Sequence, residues 1–199
     1  AYSVQEVQQR IDSVSTWLLE NGYGKGDRAL LVPLAGNPQW VLLDLACQQA
    51  GLVPVPLHPT LRAEEIEIII TETQPRLCFT ANRELAQTYD AIVQNRGTST
   101  SVFTVQPGER FFPPLENRQS LTVAQQQRLQ ESRDGVSEND LLTILYTSGS
   151  SGSPKGVMLT HRNVVSNIKA ILTLLPLEPS HRVISFLPFS HIFERTTCY

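Results

Sequence analysis

Tyr146-Thr147-Ser148-Gly149-Ser150-Ser151-Gly152-Ser153-Pro154-Lys155-Gly156 is the stretch around which the rest of the sequence arranges itself. An apolar, strand-like run enters it (Leu141, Leu142, Ile144, Leu145, Tyr146) and a second leaves it (Val157, Met158, Leu159). Between those runs stand three glycines and four serines. Glycine permits positive φ and close approach of a ligand, so backbone N–H groups and serine hydroxyls can wrap an anion. The hydroxyls are also candidate metal ligands, and Lys155 adds a mobile point charge. The ligand that suits this composition is a polyphosphate.

Two other readings compete. A Gly/Ser run is often a flexible surface loop, but here it is held tightly between two strand-like segments and closes on Pro154-Lys155-Gly156. A Walker A loop requires Gly-x4-Gly-Lys-[Ser/Thr]. Counted from Gly149, Pro154 occupies the second glycine position and Gly156 the Ser/Thr position. Proline removes an N–H where that loop needs one, and no helix follows immediately.

Residues 146–161, Tyr-Thr-Ser-Gly-Ser-Ser-Gly-Ser-Pro-Lys-Gly-Val-Met-Leu-Thr-His, closely resemble the phosphate-binding signature of the adenylate-forming enzymes. That superfamily comprises acyl-CoA synthetases, luciferases and peptide-synthetase adenylation domains. Its usual form has Thr-Thr where Ser150-Ser151 stand, and serine keeps the hydroxyl. The resemblance extends over nearly the whole chain and is weakest at 82–135. Gly26-Asp27-Arg28, the Trp40–Gly51 segment and Val53–Leu61 are similar to the amino-terminal lobe of acyl-CoA synthetases. Leu187-Pro188-Phe189-Ser190-His191-Ile192-Phe193-Glu194-Arg195 resembles the next family motif, with Phe189 where a smaller aliphatic residue is commoner. Its His-x-x-Glu-Arg ending is similar to long-chain fatty acyl-CoA synthetases in particular.

The chain has 199 residues, 41% hydrophobic and 18% charged, an ordinary globular composition. A net charge of −3 gives no nucleic-acid footprint. No apolar run approaches the roughly 18–20 residues that span a bilayer, and no signal peptide opens the sequence. Cys47, Cys78 and Cys198 are odd in number and widely spaced, which argues for a reducing compartment and against a disulfide framework or zinc site. The only methionine is Met158, and a helical pattern is in progress at Tyr199, so the sequence reads as a piece of a longer protein.

Strand-like and helical segments alternate, which predicts α/β architecture with layered, largely parallel sheets. Val4, Val7, Ile11, Val14 and Leu18 mark an amphipathic helix over 3–21. Ala29–Val32 reads as a strand, and Asn37-Pro38 opens a helix ending at Gly51. The prolines of Val53-Pro54-Val55-Pro56-Leu57 suit an edge strand or a switch between sheets. Helices are expected at 64–73 and 82–94, strands at 77–79 and 102–104, and a surface loop at 106–120. Thr122-x-x-Gln125 signals a capped helix. After the phosphate loop, Thr160 caps a helix to about Leu175, Val183–Phe186 reads as a strand, Pro188–His191 as a turn, and Ile192 starts a helix. The lobe boundary is placed near 135–141: residues 1–135 form an amino-terminal lobe and 136–199 the start of an ATP-binding lobe.

The resemblance implies a long-chain fatty acid–CoA ligase, acting on a fatty acid, ATP and coenzyme A with Mg²⁺, in the cytoplasm with peripheral membrane contact. It implies that Thr147, Ser148, Gly149, Ser150, Ser151, Gly152 and Lys155 hold the phosphates, with Ser150 or a neighbouring hydroxyl on Mg²⁺. Lys155 and His191 are its catalytic candidates, His191 beside the α-phosphate and the incoming carboxylate. A lone histidine more often caps a turn, but the Leu-Pro-Phe-Ser-His setting favours the site. His161 and Arg162 read as a solvated helix start, His58 shows no partner, and Glu194-Arg195 reads as a surface pair that marks the subfamily. A fatty acyl-AMP ligase, an aryl-CoA ligase and a non-catalytic nucleotide-binding module are the alternatives. The family's ribose, metal and mobile-lysine elements find no counterpart in these residues. The purified 199-residue chain is therefore expected to form no acyl-CoA above a vector control, and measurable thioester formation would refute that expectation.

Overall fold

Ser3 opens the first helix because its hydroxyl accepts the Glu6 N–H at 3.2 Å while the Glu6 carboxylate accepts the Ser3 N–H at 2.8 Å, which satisfies two otherwise unpaired donors. The structure is a computed structural model that describes residues 2–34, 37–106, 112, 120–148, 153–175, 178, 181–182, 184–185, 187–188 and 190–198. From Ser3 the chain runs through α1 (Val4–Glu20), β1 (Arg28–Val32), α2 (Gln39–Gln49), β2 (Val53–Pro56), α3 (Ala63–Thr73), β3 (Leu77–Thr80), α4 (Arg83–Arg96), β4 (Ser101–Thr104) and α5 (Val123–Asp134). Asn37 Oδ1 accepts the Gln39 N–H at 3.0 Å, and Thr122 and Gln125 form their reciprocal cap. The local signals therefore start the helices within a residue of where the sequence predicts, α2 having Pro38 and not Asn37 at its N-cap position.

The four strands pair in parallel in the order β2-β1-β3-β4. Successive strand residues face opposite sides. Ala29, Leu31, Leu77 and Phe79 point into a core shared with α1 and α2, while Leu30, Val32 and Cys78 point into a second core under α3 and α4. Both faces are covered, which is why the strands read as continuous apolar runs. Val53 N–H and Leu57 N–H donate inward to Asp27 and Leu31 at 2.8 and 2.7 Å. The alternating nitrogens of Pro54 and Pro56 therefore face the outer edge, where no donor is needed.

A second sheet is the antiparallel hairpin of β5 (Leu141–Ser148) and β6 (Pro154–Thr160). It continues into α6 (His161–Leu174), capped by Thr160 and Asn163, and the chain closes with α7 (Ile192–Cys198). Ile144 enters the core under α3 and α4, and Thr143 Oγ1 donates to the Pro54 carbonyl at 2.7 Å. β2 is thus both the edge of the parallel sheet and the seam to the hairpin.

Two expectations are corrected. Of the expected surface loop 106–120, Gln106, Phe112 and Ser120 are described; Gln106 and Ser120 are exposed and outside helix and strand as expected, but Phe112 is fully buried, with its ring centroid 4.8 Å from Trp17 and 4.9 Å from Phe79. An aromatic cluster inside the core outweighs the polar, proline-rich surroundings of that residue. Of the expected strand Val183–Phe186, Ile184 and Ser185 are described and neither lies in a strand, while Val183 and Phe186 lie outside the described residues.

Gly51 follows α2 at φ +77°, and a Cβ there would lie 3.1 Å from the Lys25 Cα; Gly97 has φ +62° with nothing within 4 Å. Left-handed backbone costs an L-residue roughly 1–2 kcal/mol. Gly97→Ala should cost about that much in urea unfolding, and Gly51→Ala distinctly more, because the Lys25 backbone must also shift. Equal losses would show that the Lys25 contact relaxes freely.

Candidate active site

The hairpin brings the two ends of the Ser/Gly stretch together. Tyr146 pairs with Gly156, Thr147 with Lys155 and Ser148 with Pro154, so Thr147 and the exposed Lys155 stand in register at the root of the loop. Gly149, Ser150, Ser151 and Gly152, including the expected Mg²⁺ hydroxyl, lie outside the described residues, as does the Ser148 side chain. Gly156 is closely packed: a Cβ would sit 3.1 Å from both Ile144 Cγ2 and Tyr146 Cζ, so those side chains would have to give by a few tenths of an ångström. The Tyr146 ring packs in that space and its hydroxyl donates to Glu72 Oε2 on α3 at 2.8 Å. Burial and the Glu72 carboxylate push the phenol pKa up, so Tyr146 stays neutral as a donor. Lys155 lies within a strand and not before a helix, as the failed Walker A pattern requires.

Beside the hairpin lies a cleft of about 490 Å³. Pro56, Leu57, His58 and Leu61 line it from the segment after β2; Leu187, Pro188, Ser190, His191 and Phe193 line it from the segment leading into α7, and Tyr146 lines it from β5. His191 closes a turn, its N–H donating to the Pro188 carbonyl at 2.9 Å. The Phe193 N–H donates to His191 Nδ1 at 3.3 Å, so the neutral imidazole carries its proton on Nε2. His58, which shows no partner in the sequence, has its Nδ1 2.7 Å from Thr60 Oγ1. Each histidine has Nδ1 engaged locally, which leaves Nε2 as the ring nitrogen available to a ligand in an otherwise largely apolar cleft. Lys155 does not line the cleft.

Glu194 and Arg195 are not a surface pair: each is 3% exposed. Arg195 Nε donates to Asp44 Oδ2 at 2.9 Å and Nη2 to Asp44 Oδ1 at 2.7 Å, a two-pronged ion pair, while Nη1 donates to Thr143 Oγ1 at 2.7 Å. Glu194 accepts a hydrogen bond from the Ser185 hydroxyl. Burial, reinforced by Asp44, pushes the nearby Cys47 thiol up and keeps it neutral, against the opposing pull of Arg195. His161 is half-buried, not solvated; it lines a smaller cavity of about 150 Å³ with Val164, Ile192 and Arg195. Desolvation holds its pKa below the ordinary histidine value although Asp140 pulls the other way. Arg162 is exposed and pairs with Glu138.

The AMP-binding enzyme family profile matches residues 1–199. The chain belongs to this family. It is 32% identical over 204 residues to fatty acyl-CoA synthetase A of Dictyostelium discoideum, covering 96% of this chain and 30% of that protein. It is 31% identical over 210 residues to long-chain-fatty-acid–CoA ligase 5 of Rattus norvegicus, covering 97% of this chain and 30% of that protein. The chain thus spans about 30% of the length of these relatives. Among solved structures, ATP-bound MatB from Rhodopseudomonas palustris matches with a TM-score of 0.74 at 24% identity, over 97% of this chain and 36% of that one. The fold is that of the adenylate-forming enzymes.

In this family member the structure brings His58, Tyr146 and His191 to one cleft, and it ties Asp44 and Thr143, which sequence reasoning passed over, to Arg195. Asp44 did leave a signal: it is a lone charge inside the apolar run Val41-Leu42-Leu43-Asp44-Leu45-Ala46-Cys47, and such a charge is buried only with a partner. Removing one member of a buried ion pair costs about 3–5 kcal/mol, whereas a packed apolar pair can be neutral. Asp44→Asn should therefore lower unfolding stability by roughly that amount, and Asp44→Leu combined with Arg195→Met should recover most of it. A loss below about 1 kcal/mol for Asp44→Asn, the level of an exposed pair, would contradict the burial of this pair.

Proposed function

We propose that a full-length protein carrying this chain is a long-chain fatty acid–CoA ligase. The fatty-acid carboxylate attacks the α-phosphorus of ATP, the bond to the β-phosphate oxygen breaks, and acyl-adenylate and pyrophosphate form. The coenzyme A thiol then attacks the acyl carbonyl and AMP departs. The observation that carries this reading is the hairpin root, where Thr147 and Lys155 stand in register below the Ser/Gly loop of an AMP-binding family member. The names of the relatives support the long-chain acid.

The first step places an anion on an anion, so positioning and charge neutralisation do most of the work. Lys155 and the 147–152 hydroxyls and amides would hold the β- and γ-phosphates. His191 would donate from Nε2 to a phosphate or carboxylate oxygen in the cleft, whose apolar walls exclude water. Mg²⁺, when bound, would neutralise phosphate charge. Ser150 is its proposed ligand, and among the described residues no group of three His, Cys, Asp or Glu side chains gathers to hold a metal. The change of sheet after β4 supports a division into a lobe of residues 1–135 and an ATP-binding lobe from 136. Among the described residues no helix is long and apolar enough to cross a membrane, and we place the enzyme in the cytoplasm with peripheral membrane contact for its lipid substrate.

The test is acid-dependent pyrophosphate exchange with acetate, benzoate, octanoate and palmitate. Each buried methylene is worth about 0.8 kcal/mol, close to fourfold in kcat/KM. Palmitate should therefore exceed acetate and benzoate by several orders of magnitude. Lys155→Ala should abolish most exchange while palmitate binding persists. Equal rates for benzoate and palmitate would overturn the long-chain assignment, and unchanged exchange in Lys155→Ala would overturn the phosphate site.

A further inference from the structure

We propose that Arg195 and Asp44 are positioning residues for His191, holding the turn that carries it at the cleft; this rests on reading the cleft as the place where acid and ATP meet. His191 lies in a turn, and α7 begins at the next residue, so its ring takes its orientation from that helix. The Phe193 N–H holds Nδ1 at 3.3 Å, and the Arg195 N–H donates to the His191 carbonyl at 3.4 Å. α7 has only seven residues, too few to be stable alone, and Phe193 on it is 57% exposed. Its position must come from what grips it.

That grip is the guanidinium of Arg195, one helical turn beyond His191. It reaches Asp44 on α2 through two prongs and Thr143 on β5 through a third, and Thr143 is itself fastened to Pro54 of β2 at 2.7 Å. The segment after β2 supplies His58 to the cleft, and β5 supplies Tyr146. One buried group therefore sets the His191 turn relative to the two elements that carry the opposite lining. A planar fork bonded in two directions fixes rotation as well as distance; a lysine ammonium keeps the charge and loses that fixation. Glu194, bonded to Ser185, adds a second buried hold on the same helix.

The test uses the full-length protein with Arg195→Lys, Thr143→Val, His191→Ala, and Arg195→Lys combined with His191→Ala. Readouts are kcat and KM in pyrophosphate exchange, and deuterium uptake of the peptide spanning 187–198. Arg195→Lys should speed uptake in that peptide and lower kcat by roughly ten- to a hundredfold, the scale of a 1 Å misplacement. KM for ATP and palmitate should stay within about threefold, because the loss falls on the reacting geometry and not on uniform binding. In the His191→Ala background Arg195→Lys should lower kcat no further, since the two act through one group. Thr143→Val keeps the ion pair and side-chain shape; it should give the same split at smaller size, and it decides the question if Arg195→Lys does not fold. Independent, additive losses, or a normal kcat with a loosened 187–198 peptide, would overturn the proposal. Absence of acid-dependent exchange in the wild type would sink the ligase reading instead; unchanged deuterium uptake in Arg195→Lys would then still overturn the anchoring.

Discussion

The two-pronged bond between Arg195 and Asp44 joins residues 151 positions apart, with side chains 3% and 5% exposed. Taking two charges out of water costs several kcal/mol per ion, and only close geometry with further hydrogen bonds offsets that cost. Here both conditions hold: both carboxylate oxygens are engaged, and the third guanidinium arm reaches a threonine that is itself bonded to backbone. Either charge left alone at this depth would be far more expensive than the pair. The helix layer on the parallel sheet, the hairpin strand and the last helix must therefore reach their places together. A purely apolar contact could have held them, but it would not have fixed how α7 is turned.

The same logic of direction runs through β2. Its prolines lack N–H groups on the edge away from β1, so the edge cannot recruit another strand by ordinary pairing on the donor side. The Pro54 carbonyl still accepts, and Thr143 takes it with a side chain. Thr143 opposes Pro54 while Tyr146 shares the cleft with Pro56–Leu61, so β5 runs in the same direction as β2. The cleft consequently lies off the carboxyl end of β2 and beside the second half of β5, and the end of β2 is the kind of place where open α/β sheets hold their ligands. Its location follows from two prolines and one hydroxyl before any catalytic side chain is considered.

Much of this was legible in the sequence because the signals were local. Caps at Ser3, Thr122 and Thr160 each depend on a partner three residues away, and the alternation of strand and helix needs only short windows. The apolar runs on either side of the Ser/Gly stretch were legible as strands because each declares itself within a few residues. Phe112, His58 and Arg195 were not legible. Phe112 sits in a polar, proline-rich stretch and is buried by rings from residues 17, 79 and 103. His58 and His191 meet at one cleft across more than a hundred residues of sequence. Glu194-Arg195, adjacent and opposite in charge, has the look of a surface pair; its burial depends on Asp44, Thr143 and Ser185, none of them within a helical turn.

β5 ties these parts to the Ser/Gly stretch. Along this strand Thr143 engages Arg195, Tyr146 packs over Gly156 and lines the cleft, and Thr147 stands beside Lys155 at the loop root. A strand rises about 3.3 Å per residue, so Thr143 and Thr147 are separated by roughly 13 Å along a nearly inextensible backbone. With Thr143 fixed by the buried pair and Tyr146 fixed by Glu72, the loop root has little freedom to slide relative to His191.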